Sequence, residues 1–143
     1  MQFAGMNYLA ILAAAVAAWM FGAVYYGTVA NAWVAALGRT MADFKAEQGA
    51  KTGKLGAIGP YILSFFAELL MAWVLAGVIA HLGPVTVKNG VVSALFIWAG
   101  FVLTTMATNN AYTGRKPMLT VIDAAHWLGV LVIMGAIIGV IGV

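Results

Sequence analysis

One stretch decides the fold of this chain: IGPYILSFFAELLMAWVLAGVIAHL, residues 58–82. At a helical rise of about 1.5 Å per residue, this mostly apolar run is long enough to cross the roughly 30 Å hydrocarbon core of a bilayer. Pro60 is compatible with a helix here because it falls in the first turn, where its missing N–H has no intrahelical partner. The stretch therefore predicts a membrane span.

An acidic residue, Glu68, lies about ten residues into this span. That places it about 15 Å deep, near the bilayer midplane, where a charge costs about 2.5 to 3.5 kcal/mol on insertion scales. The small residues Ser64, Ala72 and Ala76 lie on the same helix face, and small residues let transmembrane helices approach closely. We therefore expect the Glu68 carboxyl to point into a helix interface.

Two roles are open for Glu68. Burial favours the neutral acid, which can clamp helices together by donating a hydrogen bond to a backbone carbonyl or a threonine. Alternatively, Glu68 is a proton or cation site within a helix bundle, since ionisable residues inside membranes often mark function.

Composition extends the membrane assignment to the whole chain. Of its 143 residues, 64% are hydrophobic and 8% are charged, whereas soluble domains average about 45 to 50% apolar and 25% charged. The absence of cysteine excludes thiol catalysis, disulfides and cysteine-ligated metals. The net charge of +3 comes mostly from connecting segments, so it indicates membrane orientation rather than nucleic-acid binding.

Three further apolar runs predict an all-α, integral membrane four-helix bundle that forms a single domain over residues 1–143. The predicted spans are about 5–28, 58–82, 90–108 and 120–142. The first run has no basic leader and is too long for the core of a cleavable signal peptide, so we expect it to be retained as a helix.

Small residues at helical spacing predict close helix packing. Span 1 is expected to pack on span 2, and span 3 has Gly100, Thr104 and Thr108 on one face. Each such row of small residues forms a ridge along its helix. Four short helices can bury only some of these ridges inside one bundle, so the remaining ridges would contact partner proteins. The candidate packing residues are Ala10, Ala14, Ala18, Gly22, Ala72, Ala76, Gly135 and Gly139.

The segment after span 1, residues 31–57, is predicted to contain a short amphipathic helix. Its apolar residues recur at helical spacing, and its charged residues lie largely elsewhere on the wheel. A helix on the membrane surface and an ordinary solvated helix both satisfy this pattern. The apolar positions are Trp33, Val34, Leu37, Met41 and Phe44, and the sequence also predicts an interfacial aromatic belt of Tyr25, Tyr26 and Trp33.

Positive charge is strongly biased to one side of the predicted bundle. Six of the seven Lys and Arg residues fall in the loops after spans 1 and 3, and only Lys88 falls on the other side. Because positive loops stay in the cytoplasm, loops 31–57 and 109–119 are predicted to be cytoplasmic and both termini periplasmic, in a bacterial inner membrane. Arg115 and Lys116 are candidates for contact with lipid headgroups.

Asp123 and His126 lie three residues apart in span 4, so they share a helix face near the cytoplasmic side. They could form a proton relay or an anchor for a polar ligand. Alternatively, Asp123 complements the helix dipole and the pair reaches Asn109 and Asn110. No metal site or cofactor is predicted, because a metal needs three or four convergent ligands and a shared site with Glu68 requires contact between spans 2 and 4.

The text TNNAYTGRKPMLTVIDAAHWLGVLVIMGAIIGVIG, together with NYLAILAAAVAAWMFGAVYYG, resembles the small bacterial four-span membrane proteins of domain of unknown function 1761. The resemblance covers nearly the whole chain and implies four helices without a settled function. Similar sequences usually have Asn and Tyr at the positions of Asp123 and His126. Chemistry based on these two residues would therefore belong to this protein more than to the family.

These patterns favour a helix-packing protein that works by assembly, as a homo-oligomer or as an accessory subunit of a larger membrane complex, with membrane lipids as its surroundings. The alternative is a small proton- or cation-coupled transporter or channel that uses Glu68. A membrane enzyme acting on lipid or quinone comes third, because no nucleophile triad, phosphate loop or metalloprotease motif is present.

Overall fold

The computed structural model describes residues 6–50 and 54–143, which form helices joined by short turns. The predicted start of span 1 at Gly5 and the loop residue Lys51 lie outside these residues. The helices are α1 (Tyr8–Ala36), α2 (Met41–Ala50), α3 (Lys54–Leu82), α4 (Val87–Ile97), a π-helical segment (Trp98–Leu103), α5 (Thr104–Tyr112) and α6 (Pro117–Ile141). Because α3 begins six residues before Pro60, the prediction that this proline lies in the first turn of its helix is wrong.

Four helical stretches are long and apolar enough to cross a membrane: Tyr8–Ala36, Ile58–Leu82, Val87–Tyr112 and Pro117–Ile141. They are called spans 1 to 4 below, and span 3 consists of α4, the π-helical segment and α5. The predicted fold class, an all-helical membrane protein with four long apolar helices, is confirmed. The chain is a multi-pass membrane protein.

Local signals set the helix ends. The Asn7 side chain accepts the N–H of Ala10 at 3.1 Å and caps α1, and Pro117 occupies the first turn of α6. Gly38 and Gly114 adopt φ values of 78° and 63° after α1 and α5, a left-handed conformation that glycine adopts without penalty. The chain therefore reverses direction within a few residues after spans 1 and 3.

Span 4 is the centre of the bundle. It packs against both span 1 and span 3, and span 1 in turn packs against span 2. In the most apolar 18-residue window of each helix, 39% of the residues are buried in span 4, against 17% in span 3. The largest fully buried side chains belong to spans 2 and 4. They are Leu75, Ile79, Val130, Met134 and Ile138.

Spans 3 and 4 touch backbone to backbone. A Cβ added to Gly90 would lie 2.0 Å from the carbonyl oxygen of Gly135, and one added to Gly139 would lie 2.6 Å from Cα of Val87. No real side chain tolerates such distances, so glycine is required at this crossing. These contacts clamp the beginning of span 3 to the end of span 4.

The loop after span 1 differs in detail from the expected pattern. A short helix does form there, but it begins at Met41, because α1 continues through Trp33 and Val34 before the chain breaks at Gly38. The Phe44 ring of α2 packs edge-on against Trp33, with ring centroids 5.7 Å apart. This contact attaches α2 to the end of span 1.

Candidate functional site

Two polar side chains inside the spans are buried and incompletely bonded. Glu68 is 3% exposed and His126 is 5% exposed. Each has one buried atom without a hydrogen-bond partner, Oε2 in Glu68 and Nδ1 in His126. Buried polar atoms are normally paired, so these two are the strongest indications of function in the described residues.

Glu68 lies in the interface between spans 1 and 2. The indole N–H of Trp19 in span 1 donates to Oγ of Ser64 at 3.1 Å, which fixes the register of the two antiparallel helices. One turn further along span 2, Glu68 therefore lies level with the segment of span 1 around Ala15, which is fully buried. The prediction that the Glu68 carboxyl is enclosed by protein is confirmed.

Asp123 is held by span 1 rather than by span 3. Its Oδ1 accepts a hydrogen bond from the Tyr26 hydroxyl at 2.8 Å and another from the Trp33 indole N–H at 3.0 Å. The expected contact with Asn109 or Asn110 is replaced by these two bonds, and the Asn110 amide instead donates to the Thr120 hydroxyl at 2.9 Å. Trp33 and Tyr26 thus face span 4, so the expected interfacial belt is wrong for these two residues.

His126 is surrounded by aromatic rings, here called the His126 cage. The nearest centroid, that of Tyr26, is 4.7 Å from the imidazole centroid, and Trp127 is 4.9 Å away. The other two members of the cage are Tyr25 at 5.6 Å and Phe21 at 6.1 Å, and the Phe21 ring is parallel to the imidazole.

The His126 cage depends on a glycine. A Cβ at Gly22 would lie 2.8 Å from Nε2 of His126, so only glycine leaves room for the imidazole. The sequence predicts that Gly22 belongs to a ridge of span 1 that packs on span 2, but Gly22 contacts span 4 instead. The aromatic residues Tyr25 and Tyr26 that follow Gly22 are the available sequence signal for the cage, although their position also fits an interfacial belt.

The two buried sites are separate. Tyr26, which binds Asp123, lies eleven residues along α1 from Ala15, which is level with Glu68, and this corresponds to about 16 Å. His126 is level with Gly22, seven residues or about 10 Å along α1 from Ala15, so Glu68, Asp123 and His126 do not converge. Within residues 6–50 and 54–143, no group of three or more His, Asp or Glu side chains could hold a metal ion.

The other candidate residues have mostly internal positions. Lys116 is exposed, and it donates from Nζ to the carbonyl oxygen of Ala35 at 2.9 Å, so it caps the end of span 1. Arg115 and Asn109 are exposed. The predicted packing residues Ala10, Ala14, Ala18, Ala72 and Ala76 are all fully buried, and Gly22, Gly135 and Gly139 lie against span 4 or span 3.

A family model described as "Protein of unknown function (DUF1761)" matches residues 9–139, and thus confirms the resemblance noted in the sequence. No curated protein and no solved structure matches the chain.

Proposed function

Since the chain belongs to the DUF1761 family, whose description names no activity, we propose from its own geometry that it functions by lateral assembly, as a homo-oligomer in the bacterial inner membrane. The observation that supports this is the outward face of span 3. Only 17% of its most apolar window is buried, against 33, 33 and 39% in spans 1, 2 and 4.

This face carries the small-residue ridge that the monomer leaves uncovered. The predicted packing residues of spans 1, 2 and 4 are used inside the bundle, whereas Gly100, Thr104 and Thr108 of span 3 are all exposed. A side chain at Gly100 would meet nothing within 4 Å. Small residues are typical of helix interfaces in membranes, where close approach replaces the hydrophobic effect as the source of affinity.

The chemistry of the face suits a second copy of the same chain. It is uncharged between Trp98 and Tyr112, and the Asn109 amide can both donate and accept hydrogen bonds. The Thr104 hydroxyl already donates to the carbonyl of Gly100 at 2.7 Å, but its oxygen can still accept a hydrogen bond. Such a surface is complementary to itself about a two-fold axis. The Phe101 side chain, 72% exposed beside the ridge, supplies a large apolar group to bury.

The same proposal includes an orientation. Lys116 binds the carbonyl of Ala35, so the two basic loops lie at one end of the bundle. The concentration of Lys and Arg at that end supports a cytoplasmic position for loops 31–57 and 109–119, with both termini in the periplasm.

Cross-linking can test the assembly because the chain contains no cysteine. Thr104→Cys should form a disulfide-linked dimer in native membranes under mild oxidation. Val24→Cys is the matched control, since Val24 is a lipid-facing residue of span 1, 66% exposed and at a similar depth. Equal cross-linking of the two variants would reject the span 3 interface, and a product of a different mass would indicate an accessory role beside another protein.

A second candidate function, proton- or cation-coupled transport, is favoured by the unpartnered Oε2 of Glu68. The carboxyl is enclosed in this conformation, so transport would require spans 1 and 2 to separate. Glu68→Gln should then abolish flux in liposomes. A membrane enzyme with its active site at Asp123 and His126 is less well supported. His126 is buried, and the Asp123 Oδ1 atom already accepts two hydrogen bonds.

A further inference from the structure

We propose that Glu68 is a proton-binding site: a carboxylic acid that carries its proton at neutral pH in the folded membrane protein. The inference is independent of lateral assembly through span 3, and it is a necessary but not sufficient condition for proton-coupled transport. It rests on the position of the carboxyl, on its missing hydrogen-bond partner and on the charges around it.

The Glu68 carboxyl is buried where water could not readily solvate a negative charge. The side chain lies in the central part of the apolar stretch Ile58–Leu82 and is 3% exposed. Its Oε2 atom has neither solvent contact nor a hydrogen-bond partner. An ionised carboxylate with an oxygen atom that lacks water, a hydrogen bond and a counter-ion is less stable than the neutral acid in such surroundings.

Among the described residues, no cationic group faces the carboxyl from the helices packed around it. Lys54, the first residue of α3, is fourteen residues before Glu68, or about 21 Å along the helix. Span 1 contains no Lys, Arg or His. In its own helix, His81 lies at the far end of span 2, where its Nδ1 donates to the carbonyl of Gly77 at 2.6 Å. In span 4, Asp123 lies about 16 Å further along the bundle, and His126, which is level with Gly22, lies about 10 Å further along. In span 3 the only cationic residue, Lys88, is in the first turn.

A proton fits this site better than a metal cation. A sodium or potassium ion inside a membrane protein needs several oxygen atoms to replace its hydration shell. The nearest side-chain hydroxyl on the same face, that of Ser64, already accepts from Trp19 and donates to the carbonyl of Tyr61 at 2.9 Å. A proton requires no further ligands, because it converts the carboxylate to a neutral group that can itself donate a hydrogen bond.

The chain offers a direct spectroscopic test because Glu47 and Glu68 are its only glutamates. The full-length protein, labelled with ¹³C at the glutamate carboxyl carbon and reconstituted in phospholipid bilayers, should give two carboxyl signals. Glu47 forms an exposed ion pair with Arg39 and serves as the internal reference for an ionised carboxylate. The Glu47→Gln variant assigns the remaining signal to Glu68 without altering the buried site.

At pH 7 the Glu68 signal should have the chemical shift of a protonated carboxyl, and Glu47 that of a carboxylate. Adding sodium or potassium chloride should leave the Glu68 signal in place. A carboxylate shift for Glu68 at pH 7 would overturn the proposal, and so would a shift that depends on the added cation. Neither result would alter the cross-linking pattern of Thr104→Cys, so the two proposals can fail separately.

Discussion

Gly22 and His126 fit each other across the interface of spans 1 and 4, since a Cβ at residue 22 would lie 2.8 Å from Nε2 of the imidazole. The absence of a side chain in one helix thus makes room for a buried polar side chain in the other. The rings of Phe21, Tyr25 and Tyr26, on the same helix as the glycine, close around the imidazole.

Gly22→Ala should therefore destabilise the protein by about 1 to 3 kcal/mol, the usual range for overpacking. Gly27→Ala is the control, because Gly27 is exposed with nothing within 4 Å of a Cβ, and alanine favours a helix by up to about 1 kcal/mol. Thermal unfolding in mild detergent measures both. If His126→Ala fails to relieve the effect of Gly22→Ala in the double variant, the two residues do not interact as described.

The Gly90 and Gly135 contact predicts a larger effect. Gly135→Ala would bring a methyl group to 2.4 Å from the carbonyl oxygen of Gly90, and a backbone atom cannot move away as a flexible side chain can. We expect a loss of about 3 kcal/mol or more, together with separation of spans 3 and 4. Gly27→Ala in span 1 is again the control and should be neutral or stabilising, since its Cβ would meet nothing within 4 Å. Similar stability of Gly135→Ala and the wild-type protein would contradict the backbone contact.

Asp123 should contribute to stability through the two donors that it satisfies. Asp123→Ala leaves the Tyr26 hydroxyl and the Trp33 indole N–H without their acceptor, at a cost of about 1 to 3 kcal/mol for each group that stays buried. Asp123→Asn keeps a carbonyl oxygen and should lose much less. Tyr26→Phe removes one donor and should cost about 1 kcal/mol. Equal destabilisation by Asp123→Ala and Asp123→Asn would show that the negative charge, rather than the acceptor atom, is what matters.

The proposed orientation predicts which residues a membrane-impermeant maleimide can reach. Gln48→Cys in α2 should be labelled only after the membrane is opened, because the basic end of the bundle is expected to face the cytoplasm. Lys88→Cys, at the start of span 3, should be labelled in intact spheroplasts. The reverse pattern would place the termini in the cytoplasm.

Much of the architecture could be predicted because the bilayer imposes requirements that a short segment of sequence either meets or fails. An apolar run of sufficient length must form a helix in lipid, since the backbone polar groups have no other partner there. This argument located Ile58–Leu82 and the other spans, and it required Glu68 to face protein. Gly38 and the residues around it likewise end span 1 through local backbone geometry, although the amphipathic pattern of Trp33, Val34, Leu37, Met41 and Phe44 continues across them.

The partners of each helix face could not be predicted in the same way. In a soluble protein the apolar side of a helix identifies the core, but all sides of a transmembrane helix are apolar, so amphipathicity does not show which neighbour it meets. The assignment of Tyr26 and Trp33 to an interfacial belt was wrong for this reason, because their polar atoms were matched to water rather than to Asp123. The same ambiguity left open which small-residue ridges remain outside the bundle.

The sequence by itself determined the number of spans, the family, and the position of Glu68 in the middle of span 2, because each follows from residues that are close together along the chain. Only the tertiary structure decided that Gly22 accommodates His126, that Asp123 is bonded to span 1, and that the ridge of span 3 is the uncovered one. The first two relationships join residues about 100 positions apart, and they depend on the shapes and hydrogen-bonding groups of two helix faces at once.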